Sequence, residues 1–80
     1  MNKFAIDTNI LIYTHDKSAP DKQNIARDLI VRSPIICTQV VSEYISVLSR
    51  VTKIPKEFII KACMPNLSLC YIEKVDTTTP

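Results

Sequence analysis

Glycine is absent from the 80 residues of this chain. Average usage would place about five or six in a sequence this long, so the absence excludes much. The dinucleotide fingerprint, the Walker loop, the nucleophile elbow and the EF-hand loop all need a residue that tolerates positive φ or close backbone approach. None of them can be written here. Aromatics are sparse, two Phe and three Tyr. No basic residues are interleaved with them, so core packing rather than base stacking is expected of Phe4, Tyr13, Tyr44, Phe58 and Tyr71. Ten Lys or Arg against eight Asp or Glu leave a net charge of +2, and the basic residues form no run. Charge alone therefore argues for no polyanionic partner. Long hydrophobic runs are missing as well: Ile10 to Tyr13 and Ile35 to Cys37 fall far short of the roughly 20 residues that cross a bilayer. Asp7, Thr8 and Asn9 break the apolar start of the chain and no small-residue cleavage site follows, so no leader and no membrane are expected. The expected location is cytoplasmic.

Three cysteines are present. Cys37, Cys63 and Cys70 match neither a disulfide framework nor paired zinc ligands, which stand two to four residues apart. Reduced, buried thiols are expected. His15, beside Asp16 and Lys17 at the end of an apolar stretch, reads as a solvated helix-end residue. A chain of this size buries only about 60% of its unfolded surface, so it holds one small domain with a marginal core.

Lys3 to Asp7 reads as a strand closed by an acid, and Thr8 and Asn9 offer acceptors of the kind that cap a helix. A brief helix, Ile10 to about Thr14, follows. Ser18 and Asp21 stand at capping-box spacing around Pro20 and open a second helix, whose apolar side is Ile25, Ala26, Leu29 and Ile30. Ser33 and Pro34 end it, because proline pushes the preceding residue out of the α region. Pro34 to Cys37 reads as a buried strand. From Gln39 to about Val51, the residues Val40, Val41, Tyr44, Ile45, Leu48 and Val51 follow helical spacing. Pro55 opens a fourth helix with Phe58, Ile59, Ala62 and Cys63 on its apolar side, and Pro65-Asn66 is expected to stop it. Leu69 to Ile72, continuing toward Val75, reads as a third strand. Strands separated by helices, with no hairpin between them, predict an α/β fold with a parallel sheet and right-handed crossovers.

In such a sheet ligands gather outside the carboxyl ends of the strands. Asp7 stands at the end of the first strand. Glu43 lies in the early turns of the helix that leaves the second. Neighbouring strands are about 4.8 Å apart, so the two carboxylates can converge. Paired acids resist joint ionisation unless a cation lies between them, and magnesium can be held by one or two carboxylates, which leaves positions for a phosphate oxygen and an attacking water. The residues admit a plainer reading too, in which Asp7 caps a helix and Glu43 is solvated near a helix N-terminus.

Phe4-Ala5-Ile6-Asp7-Thr8-Asn9-Ile10-Leu11-Ile12-Tyr13 resembles the opening motif of PIN domains, the nuclease fold of VapC-type toxins. Thr38-Gln39-Val40-Val41-Ser42-Glu43-Tyr44 resembles their second motif. The resemblance covers essentially the whole chain, 1–80. It implies a PIN-like parallel sheet with helices on both faces, and Asp7 and Glu43 as the catalytic, metal-binding acids of a Mg2+- or Mn2+-dependent ribonuclease. Thr8, Asn9 and Thr38 would orient those carboxylates by hydrogen bonds. RNA as substrate, an antitoxin protein as partner and a homodimer are implied likewise.

The family carries further aspartates after its third strand, and here the sequence supplies only Glu57, Glu73 and Asp76 beyond Glu43. The expected architecture is therefore an incomplete PIN-like domain of about three strands and four helices, lacking its C-terminal part. Its first strand would be an open edge, and Leu11, Tyr44 and Phe58 would be partly exposed. Two functions follow: the N-terminal part of a metal-dependent ribonuclease, probed by metal-dependent RNA cleavage, or a non-catalytic remnant that serves as an interaction or oligomerisation module.

Overall fold

The computed structural model describes residues 4–73. Six elements follow one another: α1 (Thr8–Tyr13), α2 (Pro20–Ile30), β1 (Ile35–Cys37), α3 (Thr38–Thr52), α4 (Lys56–Leu67) and β2 (Tyr71–Glu73). The chain is thus mixed α/β, mostly helical, with a two-stranded parallel sheet. Ile35 pairs with Tyr71, Ile36 with Ile72 and Cys37 with Glu73. The expected first strand is reduced to one parallel bridge, Ala5 to Ile35. It is held by Ile35 N–H donating to the Phe4 carbonyl at 2.8 Å and Ile6 N–H donating to the Ile35 carbonyl at 3.2 Å. Asp7 turns the backbone into α1 directly afterwards, which leaves no length for a longer ladder. The order is therefore N-terminal segment, β1, β2, all parallel, and each step between neighbours is made by two helices. Val75, Asp76 and the threonines after them lie outside the described residues.

Local chemistry accounts for most boundaries. α2 starts at Pro20, whose missing N–H costs nothing in a first turn. The expected Ser18 cap is not used. Ala19 occupies the N-cap position, and the Ser18 N–H and hydroxyl donate to the Asp16 carboxylate instead. α2 closes through i+3 bonds, Arg32 N–H to the Leu29 carbonyl and Ser33 N–H to the Ile30 carbonyl, both at 3.1 Å. Ser33 then takes φ 58°, left-handed rather than extended. Lys53 ends α3 in the same way, at φ 61°. Both sites would ordinarily favour glycine. α4 runs through Pro65 to Leu67 rather than stopping before it. The carbonyl that Pro65 leaves without its helical donor belongs to the exposed Lys61, where water can serve it.

The core joins Leu11 of α1, Ile30 of α2, Ile36 of β1, Tyr44 and Leu48 of α3, and Ile59, Cys63 and Leu67 of α4. Leu11 and Tyr44 are fully enclosed rather than partly exposed, because α1 packs on both α2 and α3, and α4 closes on α3. Phe58 is 57% exposed, which agrees with the partial exposure expected of an incomplete domain but not with the core packing expected of the aromatics, and Tyr71 departs from that packing too. Phe58 does not serve the core, because the buried stripe of α4 runs Ile59, Cys63, Leu67 at a spacing of four and Phe58 lies beside it. Tyr71 and Ile25 are exposed as well. β2 is exposed at all three positions, so one edge of the sheet carries apolar side chains in the open. No helix among the described residues is long and apolar enough to cross a membrane.

Candidate functional site

Asp7 is the N-cap of α1. Its extended backbone turns the chain into the helix, and its Oδ1 accepts from the Asn9 N–H at 2.7 Å. The register that pairs Ala5 with Ile35 puts Asp7 level with Cys37, the last residue of β1. Neighbouring strands are about 4.8 Å apart, so Asp7 lies one strand spacing from the point where α3 begins. Glu43 is the sixth residue of α3, about 7–8 Å along that helix at 1.5 Å per residue. It is exposed, because Tyr44 and Leu48 define the buried face of α3. Both acids therefore belong to elements that leave the carboxyl rim of the parallel sheet.

The expected orienting groups divide. Asn9 serves Asp7 through its backbone N–H. Thr8 and Thr38 are the first residues of α1 and α3, Thr8 half-buried and Thr38 exposed. Glu73 pairs with Cys37 on the far side of β1, so it stands about 10 Å from Asp7 in the sheet.

Two carboxylates are hard oxygen donors, and Mg2+ can be held by one or two of them while retaining waters, so the pair suits that ion in kind. One oxygen of Asp7 is committed to its cap, and among the described residues no group of three or more His, Cys, Asp or Glu could hold a metal. The Asn9 N–H would keep the Asp7 carboxyl from turning.

A second polar cluster lies inside the molecule, and sequence reasoning missed it. The Asn66 side-chain amide donates to Thr14 Oγ1 at 2.8 Å and to Tyr44 Oη at 3.0 Å. Thr14 Oγ1 donates in turn to the Leu11 carbonyl at 2.6 Å. His15 Nε2 lies 2.5 Å from Tyr44 Oη, so His15 is half-buried against α3 and not a solvated helix end. The Gln23 amide donates to the Thr14 carbonyl at 3.0 Å and ties α2 to the same turn. Burial pushes the Tyr44 phenol well above its ordinary range and raises the Cys63 thiol beside it. The His15 imidazole is held below its ordinary value, first by burial and then by the Arg27 charge. Burial raises Cys70 too, and all three cysteines are free thiols, with Cys63 buried and the others half-buried. No buried side-chain nitrogen or oxygen among the described residues lacks a partner. Beside the cluster an open cleft of about 270 Å³ is lined by Ile12, His15, Asp16, Leu48, Val51 and Thr52.

Compared with known proteins, the chain matches no family model and no curated relative.

Proposed function

We propose that this chain is the N-terminal part of a PIN-like, metal-dependent ribonuclease, in which Asp7 and Glu43 hold Mg2+ or Mn2+ against an RNA phosphate. The observation that carries the reading is the parallel pairing of the Ala5 segment with β1, which sets Asp7 beside the start of the helix bearing Glu43. In this reading Asp7 and Glu43 would hold the ion, whose charge would relieve the repulsion between the two carboxylates, and it would supply Lewis-acid activation of water for phosphodiester hydrolysis. Two acids hold such an ion loosely. The 80-residue chain is therefore expected to bind Mg2+ no more tightly than the millimolar range, and to cleave single-stranded RNA no faster than a buffer control.

Manganese titration followed by NMR tests the shared site. Paramagnetic broadening is expected at the amides of Asn9 and of Ser42 to Tyr44 together, and Asp7→Asn or Glu43→Gln alone should abolish both. Broadening at one acid only, or at neither, removes the reading. Asp7→Asn is the informative variant because Asn caps a helix as well as Asp does. Asp7→Ala should instead lose about 1 kcal/mol of stability as well as the metal, measured by urea unfolding.

A second reading, a non-catalytic interaction module, is favoured by one observation: Phe58 and Met64 of α4, and Tyr71 and Ile72 of β2, are all about half exposed. Sedimentation across a concentration series distinguishes it. Self-association that persists in Asp7→Asn, with no manganese response in the parent chain, supports the module. An antitoxin-like protein partner and a homodimer belong to the nuclease reading in its complete form.

A further inference from the structure

The turn between α3 and α4 has no cover. Every residue from Arg50 to Phe58 is exposed, and the large apolar side chains Val51, Ile54 and Phe58 are among them. Arg50, Lys53 and Lys56 alternate with these three, and Lys61 follows Phe58 by one turn of α4. Glu57 is the only acid between Ser49 and Lys61. Among the described residues the one ion pair joins Arg32 to Asp28 on α2, so no carboxylate there engages these cations. Arg50, Lys53 and Lys56 stand three residues apart, so the α-carbons of successive ones are separated by no more than about 11 Å. Basic residues that form no run along the sequence are thus gathered around an open aromatic ring.

The corner is also set in shape. Ser49 Oγ donates to the Ile54 carbonyl at 2.6 Å, and Thr52 Oγ1 donates to the Leu48 carbonyl at 2.6 Å while accepting from the Ile54 N–H at 3.3 Å. Lys53 takes its left-handed φ between those bonds, and Pro55 caps α4 directly after them. A ligand held here has little backbone left to order.

We propose that the α3–α4 corner is a docking surface for single-stranded RNA, in which Arg50, Lys53, Lys56 and Lys61 meet backbone phosphates and a base stacks on Phe58. Cations that track a phosphate backbone, with an aromatic face for a base, are the means by which proteins hold single strands. A flexible strand can bring its phosphates one by one to charges spread over a projecting turn. A second copy of this chain, at net charge +2, offers no complementary charge. Asp16 lines the neighbouring cleft with Val51 and Thr52, so its negative charge favours a path over Lys53 and the start of α4 rather than into that cleft. The choice of RNA rests on the nuclease reading. Arg50 follows Glu43 by seven residues, about 10 Å along α3 and within about 20° of the same side, so a strand engaged at Glu43 continues toward the corner.

Fluorescence anisotropy of a labelled single-stranded oligoribonucleotide with the full chain in EDTA tests the surface. Without a divalent ion the acids attract no phosphate, so the corner is read alone. Binding is expected to weaken steeply with salt. In the double variant Lys53→Ala, Lys56→Ala the slope of log K against log salt should shrink by about 1.4, at about 0.7 per phosphate contact on a single strand. Lys22→Ala with Arg32→Ala removes the same charge from α2 and should leave the slope unchanged. Phe58→Leu keeps an apolar side chain without the ring, and should weaken binding at least about fivefold with no change of slope. All five positions are exposed, and far-ultraviolet circular dichroism checks that the variants keep their helices.

No salt-dependent binding, equal losses in the two double variants, or an unaltered affinity in Phe58→Leu overturns the proposal. Polyglutamate that displaces the RNA at equal charge concentration overturns it as well, in favour of an acidic protein partner. Manganese broadening at Asp7 and Glu43 without RNA binding removes the corner and keeps the metal site. RNA binding with the expected variant pattern and no manganese broadening keeps the corner and removes the metal site.

Discussion

Tyr44→Ala is expected to leave the chain largely unfolded at room temperature. Tyr44 is fully enclosed, and truncating a large buried aromatic to alanine costs about 3–5 kcal/mol through lost burial and the cavity left behind. Its hydroxyl adds to this, because removal leaves an Asn66 amide hydrogen and His15 Nε2 without their partner. A domain of this size has about 4–12 kcal/mol in all, at roughly 0.05–0.15 kcal/mol per residue. Thermal unfolding by circular dichroism should show the midpoint lowered by more than about 15 °C, at 4–8 °C per kcal/mol. Tyr44→Phe separates the two contributions. It keeps the ring and loses only the hydroxyl, for about 1–3 kcal/mol. If the two variants lose the same amount, the cluster rather than packing holds α3 to its neighbours.

Leu11→Ala should act next most strongly, and more locally. α1 has six residues, too few to be helical on its own, and Leu11 is its only buried one. Removing three carbons from that position costs about 2–5 kcal/mol. Hydrogen exchange should show the amides of Leu11 to His15 losing protection before those of α3 and α4. Asp7 rides on the same helix as its cap, so the manganese response proposed above should vanish in this variant although neither acid is changed. Intact protection in α1 would mean that Gln23 and the Thr14 bonds suffice to dock it.

The legibility of this chain in its sequence varied with the range of the interaction. α3 was plain, because Tyr44 and Leu48 repeat at one helical turn and the other apolar residues flank them. The N-cap role of Asp7 was legible for the same reason, since a cap is a contact over two residues. Phe4 to Ile6 has the composition of a strand, but the cap at Asp7 takes over before a ladder can form. α4 passes Pro65, where the sequence predicts a stop. Asn66, one residue beyond, reaches Thr14 and Tyr44, and those bonds favour a further helical turn that local propensity argues against. The cluster itself gave no signal. Its members lie 29, 22 and 52 residues apart, and no periodicity links a Thr-His pair to one Tyr and one Asn. The polar neighbours of His15 in sequence point to solvent, whereas its neighbours in space decide its state.

The left-handed exits at Ser33 and Lys53 have a corollary for how the chain measures its own elements. Each carries a side chain where a bare α-carbon would be easier, at a cost of about 1–2 kcal/mol. Each is followed within two residues by a ring that forbids further winding, Pro34 after the first and Pro55 after the second. Proline thus acts as the punctuation that glycine supplies elsewhere. Shifting either ring by one residue would lengthen or shorten the preceding helix by 100° of rotation. The segment that follows would then leave in a new direction, taking β1 or α4 out of alignment with everything packed against it.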